Sequence, residues 1–369
     1  MANVVEINRV EDLEALRLTW NALLAQTDGA SFFHTLDWLQ ANWRYYGENQ
    51  RLRVLLVTAN NGPIGILPLT VVRERTRLGR VRVLTYPLQD WGSFFGPIGP
   101  NPTATLSLAM RHIHRTPRDW DMLDLRWVNR DERDRLRSLW AMERAGFTVR
   151  ESVWKTTALV DLSGGWDGYW ASRESKFRNN VGRCTRRLNQ VGEVDHVRYR
   201  PAGQLNGDDD PRWDLYDACV AIAEESWQGS STTGTTLSHA QVRAFLRETH
   251  ALAVKNGMLD LNLLTVDEKP VAFSYNYHCQ GEVFGLRMGY ASAMGKWGVG
   301  TVLLARVLED CSDRGDRCLD LGTGNLEIKR KWMTRLADSY RYTHYAPLAP
   351  RAQLLRLKHA FAHVPCVIE

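Results

Sequence analysis

Apolar and polar positions divide the chain into short strands and one-sided helices. Apolar runs predict strands over 4–7, 52–58, 64–72 and 81–86, and 3.6-residue periodicity predicts helices over 11–24 and 36–46. Asn60-Asn61-Gly62-Pro63 joins the second and third strands as a hairpin, because Asn and Gly accept positive φ. A loop rich in Gly and Pro follows over 87–102, then a helix over 103–115, a strand over 122–127 and a helix over 131–145.

The second half repeats this order. Adding 207 to the position carries Leu52, Leu56, Thr58 and Pro63 onto Leu259, Leu263, Thr265 and Pro270, and the turn onto Asp267-Glu268-Lys269. Met122-Leu-Asp-Leu125 likewise resembles Cys318-Leu-Asp-Leu321, each after a helix of similar length. Matching order with matching residues reads as an internal duplication. The expected division is a domain over 1–150, a second over 151–346 and a helical tail over 347–369.

One segment carries a chemical signal. A strand over 283–290 leads into Ala291-Ser-Ala-Met-Gly-Lys-Trp-Gly-Val-Gly300 and then a helix that places Leu304, Val307, Leu308 and Cys311 on one face. Gly298 and Gly300 allow bare backbone to approach a ligand, and the N–H groups at the helix start near Thr301 lack intrahelical partners. With the helix dipole and the cation of Lys296, this is a candidate pyrophosphate site; a plain tight turn is the alternative.

The order of hairpin, Gly loop, helix, strand and the segment Gly322-Thr-Gly-Asn-Leu-Glu-Ile-Lys-Arg-Lys-Trp332 resembles the GNAT acyltransferase fold. More narrowly, Ser175-Lys-Phe-Arg-Asn-Asn-Val-Gly-Arg-Cys-Thr-Arg-Arg-Leu188, Gly289-Tyr290, Lys296-Trp-Gly-Val-Gly300 and Leu319-Asp-Leu-Gly-Thr-Gly324, with Lys329 and Trp332, resemble the CelD/BcsL-type acetyltransferases. These are tandem-GNAT proteins related in architecture to the Fem-type peptidyltransferases, and the resemblance extends to Asp37-Trp-Leu39 and Pro68. It implies an α/β (α+β) fold of two tandem GNAT-like domains, each a mixed central sheet flanked by helices. It also implies that the loop binds acetyl-CoA or another acyl-CoA through Lys296, Trp297, Gly298, Val299, Gly300 and Thr301, while two splayed strands admit the pantetheine arm. The chain departs from the family at Gly295, where the GNAT loop usually has Gln or Arg, and at Ile328, where many members carry Tyr.

A basic helix opens the second domain. Phe177, Val181, Cys184 and Leu188 form its apolar stripe, flanked by Arg173, Lys176, Arg183 and Arg187 on one edge and Arg178 on the other. Converging guanidinium groups suit phosphate or carboxylate recognition. A solvated basic face is the other reading, and Arg178 and Arg183 are the residues expected at the substrate.

Acyl transfer needs a deprotonated nucleophile, a stabilised oxyanion and a protonated leaving thiolate. Asp320 in the strand beside 283–290 is a candidate base if burial raises its pKa, or a structural carboxylate bonded to backbone. Lys329 stands where the family places its lysine, able to neutralise an anionic acceptor or developing charge, or else simply on the surface. Tyr290 either orients the thioester or caps a core edge, and Asp90, in the long loop of the first domain, is a candidate for the acceptor side. No Cys or Ser adjoins a recognisable base, which favours direct transfer.

The remaining composition narrows the class. The chain has 369 residues with 44% hydrophobic, 24% charged and 10% aromatic residues, which excludes disordered, collagenous and coiled-coil proteins. A net charge of +5 does not argue for DNA. The basic residues are nonetheless lopsided, with 39 Arg against eight Lys, through anion recognition or codon usage. The six cysteines show no C-x-x-C spacing, and His112 and His114 face different sides of a helix, so no metal is expected. With no signal peptide and no 18-residue apolar run, a cytoplasmic protein is expected. The expected acceptor is an amine or hydroxyl on a polar small molecule, sugar or envelope precursor, as in polysaccharide biosynthesis, by analogy with the family. The rivals are a Fem-type aminoacyl-tRNA-dependent peptidyltransferase and a non-catalytic GNAT-fold binding protein.

Overall fold

The computed structural model describes residues 2–60, 62–232 and 234–361. Its elements begin with β1 (Asn3–Ile7), α1 (Arg17–Ala25), α2 (Leu36–Tyr46), β2 (Arg51–Ala59), β3 (Gly62–Thr76), β4 (Gly79–Thr85), α3 (Pro102–Arg115), β5 (Met122–Val128), α4 (Arg137–Arg144) and β6 (Arg150–Asp161). There follow α5 (Gly165–Ala171), α6 (Ser175–Leu188), β7 (Val194–Tyr199), α7 (Trp213–Glu225), α8 (Ala240–Lys255), β8 (Leu259–Val266), β9 (Lys269–Cys279) and β10 (Glu282–Tyr290). The chain continues through α9 (Val299–Asp313), β11 (Cys318–Asp320), α10 (Leu326–Lys329), β12 (Arg335–Tyr345) and α11 (Pro350–Phe361).

Two compact units result: the described residues up to Thr156 together with those from Asp338 onward, and Thr157–Ala337. Both boundaries fall inside strands, β6 and β12, and not in a linker near 150. The reason is strand pairing. Residues 340–345, expected with the second domain, pair with β5, and Ser339 Oγ donates to the Lys155 carbonyl. From Leu159 onward β6 pairs with β11. The terminal helix, expected as a separate tail, belongs to the first unit, where Arg351 donates to the Arg80 carbonyl.

Within each unit the sheet has the same grammar. In the first, β1, β2, β3 and β4 are successive antiparallel neighbours, β5 joins parallel to β4, and β12 closes antiparallel on β5. In the second, β7 to β10 are antiparallel neighbours, β11 joins parallel to β10, and β6 closes antiparallel on β11. The duplicated hairpin is duplicated in register: Leu52 faces Thr70 and Thr58 faces Pro63, while Leu259 faces Tyr277 and Thr265 faces Pro270, the same pairs displaced by 207. Even the irregularity recurs, between Val57 and Thr58 and between Leu264 and Thr265. Proline cannot donate to the ladder, so each hairpin bulges beside it.

Two expected helices begin differently. The helix expected over 11–24 opens as a 3-10 turn at Glu11–Leu16. The one expected over 131–145 is interrupted by Arg135 and Leu136 in left-handed backbone, after which Asp134 accepts from the Ser138 N–H and hydroxyl and starts α4 afresh.

The second unit's core joins α6 and α9 to the sheet. Phe177, Val181 and Leu188 of α6 and Val302, Leu303, Val307, Leu308 and Cys311 of α9 bury with Ala272, Val283 and Leu319. This apolar stripe on α9 fixes the position of its N-terminus, and with it the glycine loop.

Candidate active site

β10 and β11 run together at three rungs only, Glu282–Cys318, Val283–Leu319 and Phe284–Asp320, and then part. Two local devices separate them. β10 bulges between Gly285 and Arg287, and a Cβ on Gly285 would lie 2.7 Å from the Asp320 carbonyl oxygen, so only glycine fits just past the last rung. On the other strand, Asp320 Oδ1 accepts from the Gly322 N–H at 2.7 Å and from the Thr157 hydroxyl at 2.5 Å, turning the chain away at Gly322, φ 80°. Asp320 therefore stands at the end of β11, with one carboxylate oxygen committed to this turn.

Lys329 closes the mouth of the opening. α10 is started by Asn325, whose side chain accepts from the Ile328 N–H, and its last residue sends Nζ back to the Gly322 carbonyl at 2.8 Å. Burial pushes the ammonium down to about 8, against the attraction of Asp320 and with the repulsion of Arg287. Ile328 is exposed, so the position often occupied by Tyr in the resembled family points to solvent here.

The glycine loop is a 3-10 turn, Ser292–Trp297, that hands over to α9 through Gly298 at φ 72°. A Cβ on Gly298 would meet Cys184 Sγ at 2.6 Å. Gly298→Ala is thus expected to lower stability by about 1–3 kcal/mol in urea denaturation, from the left-handed backbone and the collision together. Cys184→Ala in the same chain should restore part of it.

Tyr290, 40% exposed, lies across the loop: a Cβ on Gly295 or Gly300 would come within 3.2 or 3.1 Å of its ring. The glycine at 295 makes room for this ring. Lys296 and Arg187 each approach the Trp297 indole at 5.2 Å, so two cations flank the start of α9. The Thr301 N–H is already donated to the Gly298 carbonyl at 2.9 Å, leaving Val299 and Gly300 as the amides that an α-helix leaves open. Val299 is fully buried, backbone included, so Gly300 is the amide that remains accessible.

The other expected substrate residues are not brought to one point. Arg183 bonds Asn180 on its own helix at 2.7 Å, Arg173 reaches the Met333 carbonyl, and Arg178 keeps its Nε buried without a hydrogen-bond partner. Asp90 belongs to the first unit, where it pairs with Lys155 at 3.4 Å. His112 is a packing residue, bonded to Glu6, and no cluster of three metal-ligating side chains occurs among the described residues.

Sequence reading missed Gly285, Thr157 and Arg287. Gly285 had a signal, an isolated glycine inside a strand pattern. Arg287, whose Nε donates to the Thr235 carbonyl at 2.7 Å, had none, because its surroundings come from a loop some fifty residues earlier. Gln228 from the same loop donates to the Met288 carbonyl, fixing β10 just past its bulge.

Residues 175–330 match the family described as acetyltransferase (GNAT) domain. No curated protein sequence matches the chain significantly. The solved structure of FemX is similar over 96% of this chain and 99% of its own, with 10% identity and a TM-score of 0.63. The C-terminal domain of a putative lysylphosphatidylglycerol synthetase from Agrobacterium fabrum covers 97% of this chain and 99% of its own, at 14% identity and TM-score 0.56. A conserved protein of unknown function from Bacteroides thetaiotaomicron covers 94% and 100%, at 12% identity and TM-score 0.52. No helix among the described residues is long and apolar enough to cross a membrane. The chain thus has a mixed α/β fold shared with these structures, and its residues 175–330 match a GNAT acetyltransferase domain.

Proposed function

We propose that the protein is an acyltransferase of the CelD/BcsL type, moving an acetyl or other acyl group from acyl-CoA to an amine or hydroxyl of a polar acceptor. The observation that carries this reading is the parting of β10 from β11 directly beside a glycine-capped helix start. Acyl-CoA supplies a thioester, whose acyl–sulfur bond is the one broken. The Gly300 amide at the start of α9, with Lys296 and Arg187, is placed to hold its pyrophosphate. The bulge after Gly285 turns β10 away from β11 just past their last shared rung, the parting the pantetheine arm would enter.

Lys329 is the general base in this proposal. An amine lowered to about 8 is partly neutral near neutrality and accepts the acceptor's proton as the new acyl bond forms; the ammonium then returns it to the departing thiolate. Asp320 positions Gly322, whose carbonyl holds Lys329. Tyr290 lines the loop. A sugar or envelope precursor as acceptor rests on the family resemblance.

Acetyl-CoA at a hundredfold excess over its Kd should stabilise the protein by about 2.7 kcal/mol, a rise of several degrees in melting temperature. Lys296→Glu should reduce that rise. Gly298→Glu is a poor probe because any side chain there strains the fold. No shift with any acyl-CoA overturns the proposal.

A second reading has its own support. α6 carries Lys176, Arg178, Arg183, Arg186 and Arg187 with no acidic residue, and the fold is shared with FemX. A Fem-type transferase would bind aminoacyl-tRNA with steep salt dependence while ignoring acyl-CoA.

A further inference from the structure

We infer that the first unit carries its own ligand site, a cavity for a neutral, hydroxyl-rich ring such as a hexose or the sugar end of a larger glycoside. This inference does not depend on the chemistry of the second unit. β4 and β5 pair in parallel at only two rungs, Val83–Met122 and Leu84–Leu123, the counterpart of the short β10–β11 ladder. Beyond them the chain leaves β4 through Thr85 and Tyr86 while β5 continues to Arg126 and Trp127. A cavity of about 190 Å³ lies among these residues. Pockets for drug-sized ligands begin at about 300 Å³, so this one suits a single six-membered ring.

Two residues lining it hold strained backbone, Gln89 at φ 53° and Trp127 at φ 65°. Trp127 sits in a β-bulge, where Arg126 and Trp127 together oppose Arg341 between the Leu125–Tyr342 and Val128–Tyr340 pairs. Its ring meets Trp154 edge-on at 5.6 Å. Left-handed backbone at a bulky aromatic persists where the surroundings enforce it, and such positions cluster at binding sites.

Unmet hydrogen bonds point the same way. Thr85 is 5% exposed and its hydroxyl has no partner; the Trp154 indole N–H is also buried without one. Both residues line the cavity. A buried polar group left unpaired is costly, and ligand hydroxyls, which donate and accept, would satisfy both.

Charge decides the ligand class. Arg126 spends Nη1 and Nη2 on Glu74, at 2.6 and 2.8 Å, and Nε on Asp124 at 2.6 Å. At the rim Lys155 faces Asp90. These cations are already met by carboxylates, so the cavity offers little net positive charge to an anion. Glu74, partly exposed, can accept hydroxyls, whereas the Trp154 ring is already covered by the Arg126 and Arg341 guanidinium groups at 4.9 and 4.6 Å, so the ligand is held by hydrogen bonds and not by ring stacking.

Isothermal titration of the full chain with glucose, galactose, mannose and N-acetylglucosamine tests this, with sodium acetate and inorganic phosphate as the anionic arm. At least one sugar should bind saturably, and Thr85→Val and Trp154→Phe should each weaken it about tenfold. Thr85→Val without sugar should leave the melting temperature unchanged or raised, whereas a purely structural threonine would lower it. Acetyl-CoA binding, measured on the same variants, should not change, which separates this site from the second unit. Absence of saturable sugar binding, binding untouched by both substitutions, a lowered melting temperature for Thr85→Val, or tighter binding of acetate or phosphate overturns the inference.

Discussion

Lys329→Met is expected to lower kcat by about 10²–10⁴-fold while acetyl-CoA affinity stays nearly intact, because it removes the proposed base but no group at the start of α9. The pH dependence makes the test specific. With the amine lowered to about 8, log(kcat/KM) should rise with pH at unit slope and level off above about 8. Lys329→Arg keeps a cation but no titration in this range, so it should fail to rescue. Recovery by arginine would instead assign the lysine to neutralising charge. Stability carries the same signature with a definite sign. Between about 8 and the ordinary lysine value of about 10.4, the unfolded chain binds more protons than the folded one, so stability rises with pH across that window. Lys329→Met should abolish the rise.

Asp124→Ala is expected to cost about 3–5 kcal/mol in urea denaturation, the largest stability effect of any single change considered. Asp124 is fully buried on β5, where Arg126, Arg341 and Thr343 all donate to it. Burial alone would raise its carboxyl, but the two guanidinium groups outweigh that and hold it below the usual carboxylate range. Removing it leaves Arg341 without this anion and Arg126 with Glu74 alone. The stabilisation is present above about pH 4 and is lost as the pH falls through the lower folded value. Asp320 occupies the matching place in the second half yet anchors a turn through Thr157 and Gly322, so the duplicated Leu-Asp-Leu motif serves two different ends.

Much of the fold was legible because its signals are local. The hairpin offset of 207 predicts the strand register, since proline and the turn residues dictate where the ladder can form. The stripe of α9 and the glycine before it follow from helical periodicity and from the need for positive φ. What stayed hidden depends on residues distant in sequence. Nothing near Lys329 announces that it folds back on Gly322, and nothing near Arg287 names the Thr235 carbonyl that receives it. The cavity by Trp127 is equally silent, since its walls come from β3, β4, β5 and β6. The basic edge of α6 shows the converse: side chains aligned on a helical wheel need not converge in space, because Arg183 spends itself on its own helix.

The closing strand of the first sheet has a consequence for how the protein can be made. Residues 338–345 reach the ribosome's exit only after the whole of the second unit has been synthesised, so Asp124 waits for Arg341 while 217 further residues are added. Cutting the gene at codon 150 would yield a first half with an unpaired β5 edge and a buried carboxylate short of two partners, prone to aggregate. A workable split would have to carry the last segment back to the first half, as a fusion that joins residue 156 directly to 338–361 in place of the second unit.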